Sequence, residues 1–347
     1  MTSLLEQRYR RVLRMLPASY RAQREEEIVD TYLQDFDEHD QDELRPSWRE
    51  VASIAALAVR TRMGGPRAAP RYAVAGATVR LFALLSILLH GARELTDRAL
   101  SLAWYSGAPA HDRELFLGVF SGHGVLPGVR EALLWLLPLC WVAAYAALLR
   151  DRRRTALVLT ALAALPGLMF AVEWASGGPE LIDGFDVAFA ASGWLTVLAV
   201  GCAFHGGAPP ARLPFVPPGL ALMAVCVLMG GSVVVWTDGA DAVWSSGTVC
   251  VAGGIAWCVT RARGAAGAAD PAVPLALALL SCAVLAERTG LLVVLLDSRL
   301  PASLMYAAGA QTAVLTVLVA ALAVAGSRLA RRGGETVAAG EGSGAGE

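Results

Sequence analysis

The sequence predicts an all-α protein, namely a polytopic helical membrane protein of about eight transmembrane helices preceded by a small cytosolic three-helix domain. Three observations support this class. Of the 347 residues, 56% are hydrophobic and only 17% are charged, whereas a soluble domain averages about 25% charged residues. The charge is concentrated before residue 72. Eight apolar runs follow, and each is long enough, at roughly 20 residues, to cross a bilayer.

Residues 1–63 contain three amphipathic segments, each of which needs a partner to bury its apolar face. The motifs "SLLE" and "PSWRE" predict capping boxes that begin at Ser3 and Ser47. Ser19 is the predicted N-cap of the second helix. The predicted core consists of Leu13, Leu16, Ile28, Leu33, Phe36 and Val51. We therefore expect residues 1–63 to fold as a three-helix domain.

Acidic residues dominate the second half of this domain. From Glu25 to Glu43 there are ten acids and no arginine or lysine. A surface of this charge is complementary to a basic protein, and it repels nucleic acid phosphates, so direct nucleic acid binding is not expected. The candidate docking residues are Glu25, Glu26, Glu27, Asp30 and Asp35, which we call the acidic face. The alternative is that the acidic face pairs with the arginines of the first helix.

The run "YRRVLRMLPASYRAQREEEIVDTYLQD" resembles the short N-terminal helical domain, called a HAAS-type signalling domain, of bacterial membrane proteins that are often encoded beside PadR-type transcriptional regulators. The shared pattern is a first helix, a Leu-Pro break, an arginine- and glutamate-rich segment and an amphipathic helix. The resemblance covers about residues 6–63 and not the apolar runs. It implies a regulatory or accessory membrane protein with a cytosolic partner protein, and it carries no catalytic residues.

The membrane domain is predicted over residues 72–326, after a linker at 64–71 and before a disordered cytosolic tail at 327–347. Glycine and proline inside the apolar runs do not exclude membrane helices, which tolerate both. The predicted spans lie near residues 72–91, 131–149, 155–175, 187–205, 218–236, 242–260, 274–296 and 303–325.

The arginines predict the orientation of these spans. One set of loops, with the segment before the first span, carries 14 arginines, whereas the opposite loops carry five and most of the acids. Because basic residues are retained on the cytoplasmic side, we expect a multi-pass protein of the plasma membrane with both termini in the cytoplasm.

The first outer loop, residues 91–130, is much longer than the others. Arg93, Glu94, Asp97 and Arg98 share one helical face of it, which predicts a helix lying at the outer membrane interface. Residues 114–120 are predicted to form a second short helix. Such a loop is suited either to a sensor or gate or to a plain cover over the bundle.

Four ionisable residues inside the predicted spans are candidates for a functional site, because a charge within the bilayer is costly. They are Arg80, Glu173, Glu287 and Arg288. Arg80 and Glu287 have opposite charges at similar predicted depths, so we predict that they pair across the bundle. The alternative is that each lines a separate hydrated pocket.

The remaining motifs favour a non-enzymatic role. The sequence contains no lysine, which excludes a P-loop and a Schiff-base cofactor, and no signature of a hydrolase or metalloprotease is present. We expect no catalytic residues, cofactor or metal site. Together with the resemblance of residues 6–63, which implies a regulatory or accessory role, we expect a signalling, regulatory or accessory membrane protein that couples the bundle to a cytosolic partner through residues 1–63. The alternative is a transporter or permease component with a polar path near Arg80, Glu287 and Arg288.

Overall fold

A computed structural model describes residues 3–34, 44–64, 68–107, 109–121, 125–175, 184–205, 208–210, 242–264, 269–297 and 302–343. Every regular element within these ranges is helical. The helices are α1 (Leu4–Leu13), α2 (Ala18–Leu33), α3 (Trp48–Arg62), α4 (Pro70–Gly107), α5 (Ala110–Ser121), α6 (Val125–Leu136), a 3-10 turn (Leu137–Leu139), α7 (Cys140–Leu149), α8 (Arg153–Ala175), α9 (Gly184–Ala203), α10 (Ala242–Ala262), α11 (Ala272–Asp297) and α12 (Ala302–Ser343).

Five helical stretches among the described residues are long and apolar enough to cross a membrane. They are Pro70–Gly107, Gly128–Leu149, Gly184–Ala203, Ala272–Val293 and Ala308–Gly333. The predicted spans at 155–175 and 242–260 correspond to helices α8 and α10, whereas the predicted span at 218–236 lies outside the described residues. The described part of the chain is therefore helical throughout its regular elements and has several membrane-compatible helices.

Helices α1, α2 and α3 share one apolar core. Its buried members are Leu5, Tyr9, Leu13, Leu16, Val29, Tyr32, Ile54 and Ala58. Of the residues predicted for this core, Leu13 and Leu16 are buried and Ile28 and Leu33 are partly buried against it. Val51 is only half-buried, because the inner face of α3 is centred one turn later, and Phe36 lies outside the described residues.

The capping motifs explain where two of these helices begin. The capping box at Ser47 is confirmed: the Ser47 Oγ accepts the Glu50 N–H at 3.3 Å, and Glu50 accepts the Ser47 N–H at 2.6 Å. The Ser3 hydroxyl likewise accepts the Glu6 N–H. The prediction of Ser19 as an N-cap is wrong, because α2 already begins after Pro17. Proline has a fixed φ that suits a helix boundary, so the cap lies two residues earlier.

Helix α4 corrects the prediction of a separate interface helix after residue 91. The helix runs without a break for 38 residues, about 57 Å at the usual rise. The segment that follows the predicted span, "ARELTDRALSLAW", contains neither proline nor glycine, so nothing interrupts the hydrogen-bond ladder. Glu94 on its charged face is buried and Arg93 and Arg98 are partly buried, while Asp97, Leu95 and Leu102 are exposed. The short helix predicted at 114–120 is confirmed as part of α5.

Helix α12 extends the last predicted span to Ser343. This helix covers residues 327–343 of the segment predicted as a cytosolic tail. Once a helix is nucleated, each further residue adds a hydrogen bond to the existing ladder, and Leu329, Ala330, Arg331 and Arg332 directly after the span are strong helix formers. Helix α11 packs along α12, α10 contacts both, and α7 packs along α8.

Candidate functional site

Glu287 is the centre of a polar cluster inside the helix bundle. Only 4% of this residue is exposed. Its Oε2 lies 3.2 Å from Arg93 Nη1, and its Oε1 accepts a hydrogen bond from Ser192 Oγ at 2.7 Å. The carboxylate thus joins helices α4, α9 and α11 through charge-assisted bonds, which are the strong ones in a low-dielectric interior.

Small residues allow α9 and α11 to approach closely beside this cluster. A Cβ added to Gly290, one turn after Glu287, would lie 2.5 Å from the backbone of Gly184, which is too close for any side chain. Membrane helices commonly use glycine in this way. The contact fixes the start of α9, which carries Phe185 and Phe189, against the face of α11 that carries Glu287.

Aromatic rings hold the Arg93 guanidinium in place. Its Cζ lies 4.4 Å from the ring centre of Phe189 and 5.2 Å from that of Phe185. A cation over an aromatic face is attracted by about 0.5–2 kcal/mol, more when water is excluded. Arg93 therefore has both an ionic partner and an aromatic support.

His90 lies one turn before Arg93 and is 7% exposed. Its ring stacks on Trp141 with centres 4.7 Å apart, and its Nε2 lies 3.5 Å from Ser192 Oγ. One turn earlier, the Ser86 and Thr196 hydroxyls are joined by a 2.6 Å hydrogen bond. Buried polar groups thus follow one face of α4 and are satisfied by α9.

A second ionic group lies further along α4. Arg98 Nη2 is 3.2 Å from the buried carboxylate of Glu94, and Arg98 Nε donates to the Trp135 carbonyl at 3.0 Å. Arg98 Nη1 also pairs with Asp97 Oδ2 at 2.5 Å. The Arg98 guanidinium on α4 thus connects this helix to α6 through its hydrogen bond to the Trp135 carbonyl.

Arg288 has a different environment from its neighbour Glu287. Its Nε donates to Gln311 Oε1 at 2.8 Å, its Nη2 also contacts this oxygen, and Gln311 Nε2 donates to Thr248 Oγ1 at 3.1 Å. Adjacent residues on a helix point about 100° apart. Arg288 therefore faces α12 and α10, whereas Glu287 faces α4 and α9.

A cavity of about 340 Å³ opens beside the Arg93 cluster. This volume is within the usual range of ligand pockets, about 300–1,000 Å³. Its charged wall is the inward face of α4, and its other walls are apolar or aromatic. The lining includes His90, Arg93, Glu94, Asp97, Arg98, Leu134, Pro138, Trp141, Ala164, Gly167, Phe185, Asp186, Phe189 and Gly193.

The cavity ends against closely packed residues. Beneath it lies a void of only about 10 Å³, lined by Ser86, His90, Ser192 and Glu287 among others. Such a void has room for about one water molecule. The void and the cavity share His90 and Arg93 in their linings, so the cavity narrows there to a dense floor.

The predicted pairing of Arg80 with Glu287 is wrong. Arg80 lies 13 residues before Arg93 on the same continuous helix, which is about 20 Å along the axis. The cation beside Glu287 is Arg93, while Arg80 lies near the like charge of Arg153. Arg93 lies on the continuous helix α4 and contacts Glu287, and not in an outer loop as the sequence predicts. The Glu173 side chain lies outside the described residues.

Arg93, His90 and Ser192 were missed as site residues, although the sequence contains a signal for two of them. His90, Arg93, Glu94 and Asp97 recur at spacings of three and four residues, which is the period of one helical face. Continuing the helix past residue 91 would have placed them together. Ser192 has no such signal, since isolated serines are common in membrane helices.

The acidic face of α2 is largely paired within the N-terminal helices. Arg10 donates from Nη1 and Nη2 to the two oxygens of Glu26 at 2.8 and 2.6 Å, and its Nε donates to Glu6 at 2.9 Å. These bonds raise the pKa of Arg10 and lower that of Glu26. Glu25 lies 3.7 Å from Arg10, and Glu27 lies 3.7 Å from Arg24.

Two of the five residues of the acidic face, Glu25 and Glu26, thus pair with Arg10 of the first helix, whereas Glu27 pairs within α2. Asp30 is exposed, and Asp35 lies outside the described residues. Within the residues that the structure describes, no group of three or more metal-ligating side chains is close enough to hold a metal ion.

Comparison with models of known protein families, with curated proteins and with solved structures finds no match to this chain.

Proposed function

We propose that this chain is a regulatory membrane protein whose helix bundle receives a small ligand and whose N-terminal helices α1–α3 pass that signal to a cytosolic partner. The observation that carries the proposal is the cavity of about 340 Å³ beside Arg93. The wall of this cavity holds one buried carboxylate, Glu94, and two largely buried guanidiniums, Arg93 and Arg98. Charges held away from water are costly, and a binding role explains why these groups face the cavity.

The dense floor of the cavity favours reception over transport. A transported molecule needs a path that continues across the bundle, whereas a receptor needs only an accessible pocket. The Ser86–Thr196 bond of 2.6 Å and the void of about 10 Å³ separate the cavity from the end of α4 that carries Arg80. This arrangement resembles a pocket rather than a channel.

The proposal includes eight spans with both termini in the cytoplasm. The asymmetry of the arginines supports it. A reporter that is active only outside the cytoplasm is expected to be active when fused after Pro109 and inactive after Arg154 or Arg263. The reverse result at any of these sites would reject the orientation.

The coupling itself is tested with full-length protein and two pairs of variants. Gly193 lines the cavity, where an added Cβ would be 3.7 Å from Trp141 and 3.8 Å from Ala164. Gly193→Leu therefore fills the cavity, and Gly309→Leu, on α12 with open space around it, is the matched control. Val29→Asp disrupts the α1–α3 core, and Gln23→Asp on the exposed face of α2 is its control.

The measurement is quantitative recovery of cytosolic proteins from the native host on reconstituted protein. A regulatory role predicts one specific partner protein whose recovery is lost with Val29→Asp and changes in amount with Gly193→Leu. Both control variants are expected to recover it as the wild type does. If the recovered cytosolic proteins and their amounts are the same in the wild type and all four variants, the proposal is contradicted.

The alternative function is a permease component. It is favoured by the polar side chains that cross the bundle, from the Arg93–Glu287–Ser192 cluster to the Arg288–Gln311–Thr248 contacts. Arg80 lies outside this group. A permease predicts that Gly193→Leu abolishes solute flux into vesicles while partner recovery is unchanged, which is the opposite of the regulatory outcome.

A further inference from the structure

Arg93 has more hydrogen-bond donors than the protein uses. A guanidinium carries five N–H groups, yet the described residues give Arg93 one hydrogen bond, from Nη1 to Glu287. The Phe185 and Phe189 rings beside it offer no oxygen acceptor. Because Arg93 also lines the cavity, its remaining donors are suited to a ligand with acceptor oxygens, and a carboxylate matches the fork of a guanidinium.

Asp97 lies one helical turn after Arg93, on the same face of α4. Side chains at this spacing have Cβ atoms about 6 Å apart. Asp97 uses Oδ2 for Arg98, and its other oxygen takes no bond among the described residues. Asp97 also lines the cavity, so a donor group and an acceptor group stand beside each other on one wall.

The charges around the cavity exclude two simpler ligands. Its lining contains three carboxylates, of Glu94, Asp97 and Asp186, and two guanidiniums, of Arg93 and Arg98. A ligand with only a negative charge would be repelled by this excess of acids. A ligand with only a positive charge would leave the donors of Arg93 without an acceptor, and an unmet donor in a buried site is costly.

The far wall of the cavity is apolar. Leu134, Pro138, Ala164 and Gly167 line it together with the Trp141 ring. At about 340 Å³, the volume is near the small end of ligand pockets. The space suits an apolar side group of about one ring.

We propose that the cavity binds an α-amino acid or a similar small zwitterion with an apolar side group. The carboxylate lies on the Arg93 guanidinium, the ammonium group lies on Asp97, and the side group lies against Trp141 and the apolar wall. This assignment rests on the proposed role of the cavity as a ligand site and adds the chemical class of the ligand.

The test uses three compounds that share one ring. L-Phenylalanine carries both charged groups, 3-phenylpropanoate lacks the ammonium group, and 2-phenylethylamine lacks the carboxylate. Binding to the full-length protein in lipid nanodiscs is measured by isothermal titration calorimetry. We expect L-phenylalanine to bind and each single-charge compound to bind at least about tenfold more weakly, because 3-phenylpropanoate makes no contact with Asp97 and 2-phenylethylamine leaves the donors of Arg93 without an acceptor.

Conservative variants locate the site. Asp97→Asn removes a charge from a residue that is half-exposed, and Arg93→Lys keeps the charge beside Glu287 but loses the planar fork. Each is expected to weaken L-phenylalanine binding at least about tenfold. Asp112→Asn and Arg113→Lys on α5, both exposed, are the matched controls and are expected to bind as the wild type does.

The results that overturn the inference are specific. They are the absence of saturable binding of L-phenylalanine at millimolar concentration, equally tight binding of either single-charge compound, or unchanged binding in both cavity variants. A failure of the proposed function can be told apart from a failure of this inference. The test of the proposed function measures partner recovery with Gly193→Leu and uses no added compound.

Discussion

The ion pair between Arg93 and Glu287 is expected to show strong non-additivity when its partners are removed. Two unit charges 3.2 Å apart attract by about 5 kcal/mol at an effective dielectric constant of about 20. Desolvation of both ions offsets much of this attraction, so the net value of the pair is small. Removing one partner instead leaves a buried charge uncompensated, which costs about 3–5 kcal/mol.

The structure predicts which single substitution is the more harmful. The Glu287 side chain is 6% exposed and that of Arg93 is 15% exposed. A charge that is less accessible to water loses more when its partner is removed. We therefore expect Arg93→Gln, which strands the Glu287 carboxylate, to destabilise the protein more than Glu287→Gln does.

The assay is the fraction of full-length protein that remains monodisperse in detergent after heating. For a chain of 347 residues, a loss of about 3 kcal/mol lowers the midpoint by about 4 °C at the usual unfolding entropy per residue. The double variant is expected to recover most of the loss, because neither charge is then left alone.

Arg80→Gln provides the matched control on the same helix. Combined with Glu287→Gln, it is expected to give additive losses, since Arg80 lies about 20 Å along the α4 axis from Arg93, the residue that contacts Glu287. Additive losses for Arg93 with Glu287 would refute the pairing, and recovery with Arg80 instead would restore the original sequence-based prediction.

Three further predictions concern other parts of the chain. Val29 is 1% exposed in the α1–α3 core, so Val29→Asp is expected to lower the stability of this core by several kcal/mol. Trypsin is then expected to cleave the full-length protein at the N-terminal arginines in Val29→Asp and not in Gln23→Asp. Equal cleavage of the two variants would show that the core is assigned wrongly. Gly290→Ala is expected to cost about 1–3 kcal/mol in the same heating assay because its Cβ would overlap the α9 backbone, whereas Gly253→Ala, where the nearest atom is 3.6 Å away, should be tolerated. Burial, and to a smaller extent the nearby Glu50, raises the pKa of Tyr32 to about 12, above the usual value near 10. The stability that the neutral phenol contributes is therefore complete below pH 10 and is lost as the pH rises to about 12. An absorbance titration of the wild type and Tyr32→Phe checks this, and a Tyr32 transition near pH 10 would count against its burial.

Much of the helical organisation followed from the sequence alone. Apolar runs of about 20 residues and helical spacing of the apolar positions are local signals, and they predicted α4, α7, α9, α11 and α12 near their observed positions. The capping box at Ser47 was predictable for the same reason, since its bonds join residues only three apart. The end of α4 was predicted wrongly because a change from apolar to charged residues marks the edge of a lipid-facing span, not the end of a helix.

The composition of the site was decided by tertiary structure. Arg93 and Glu287 are 194 residues apart in the chain, and no local pattern indicates that they meet. Their contact depends on the close approach of α9 and α11 at Gly184 and Gly290, which brings Ser192 and the two phenylalanines to the same place. The charge and predicted depth of Glu287 indicated that it needs a cationic partner, but several arginines in the sequence are candidates for that partner. Only the packing of the helices selected Arg93, because the strength of an ionic contact depends on distances of a few ångströms that a sequence does not specify.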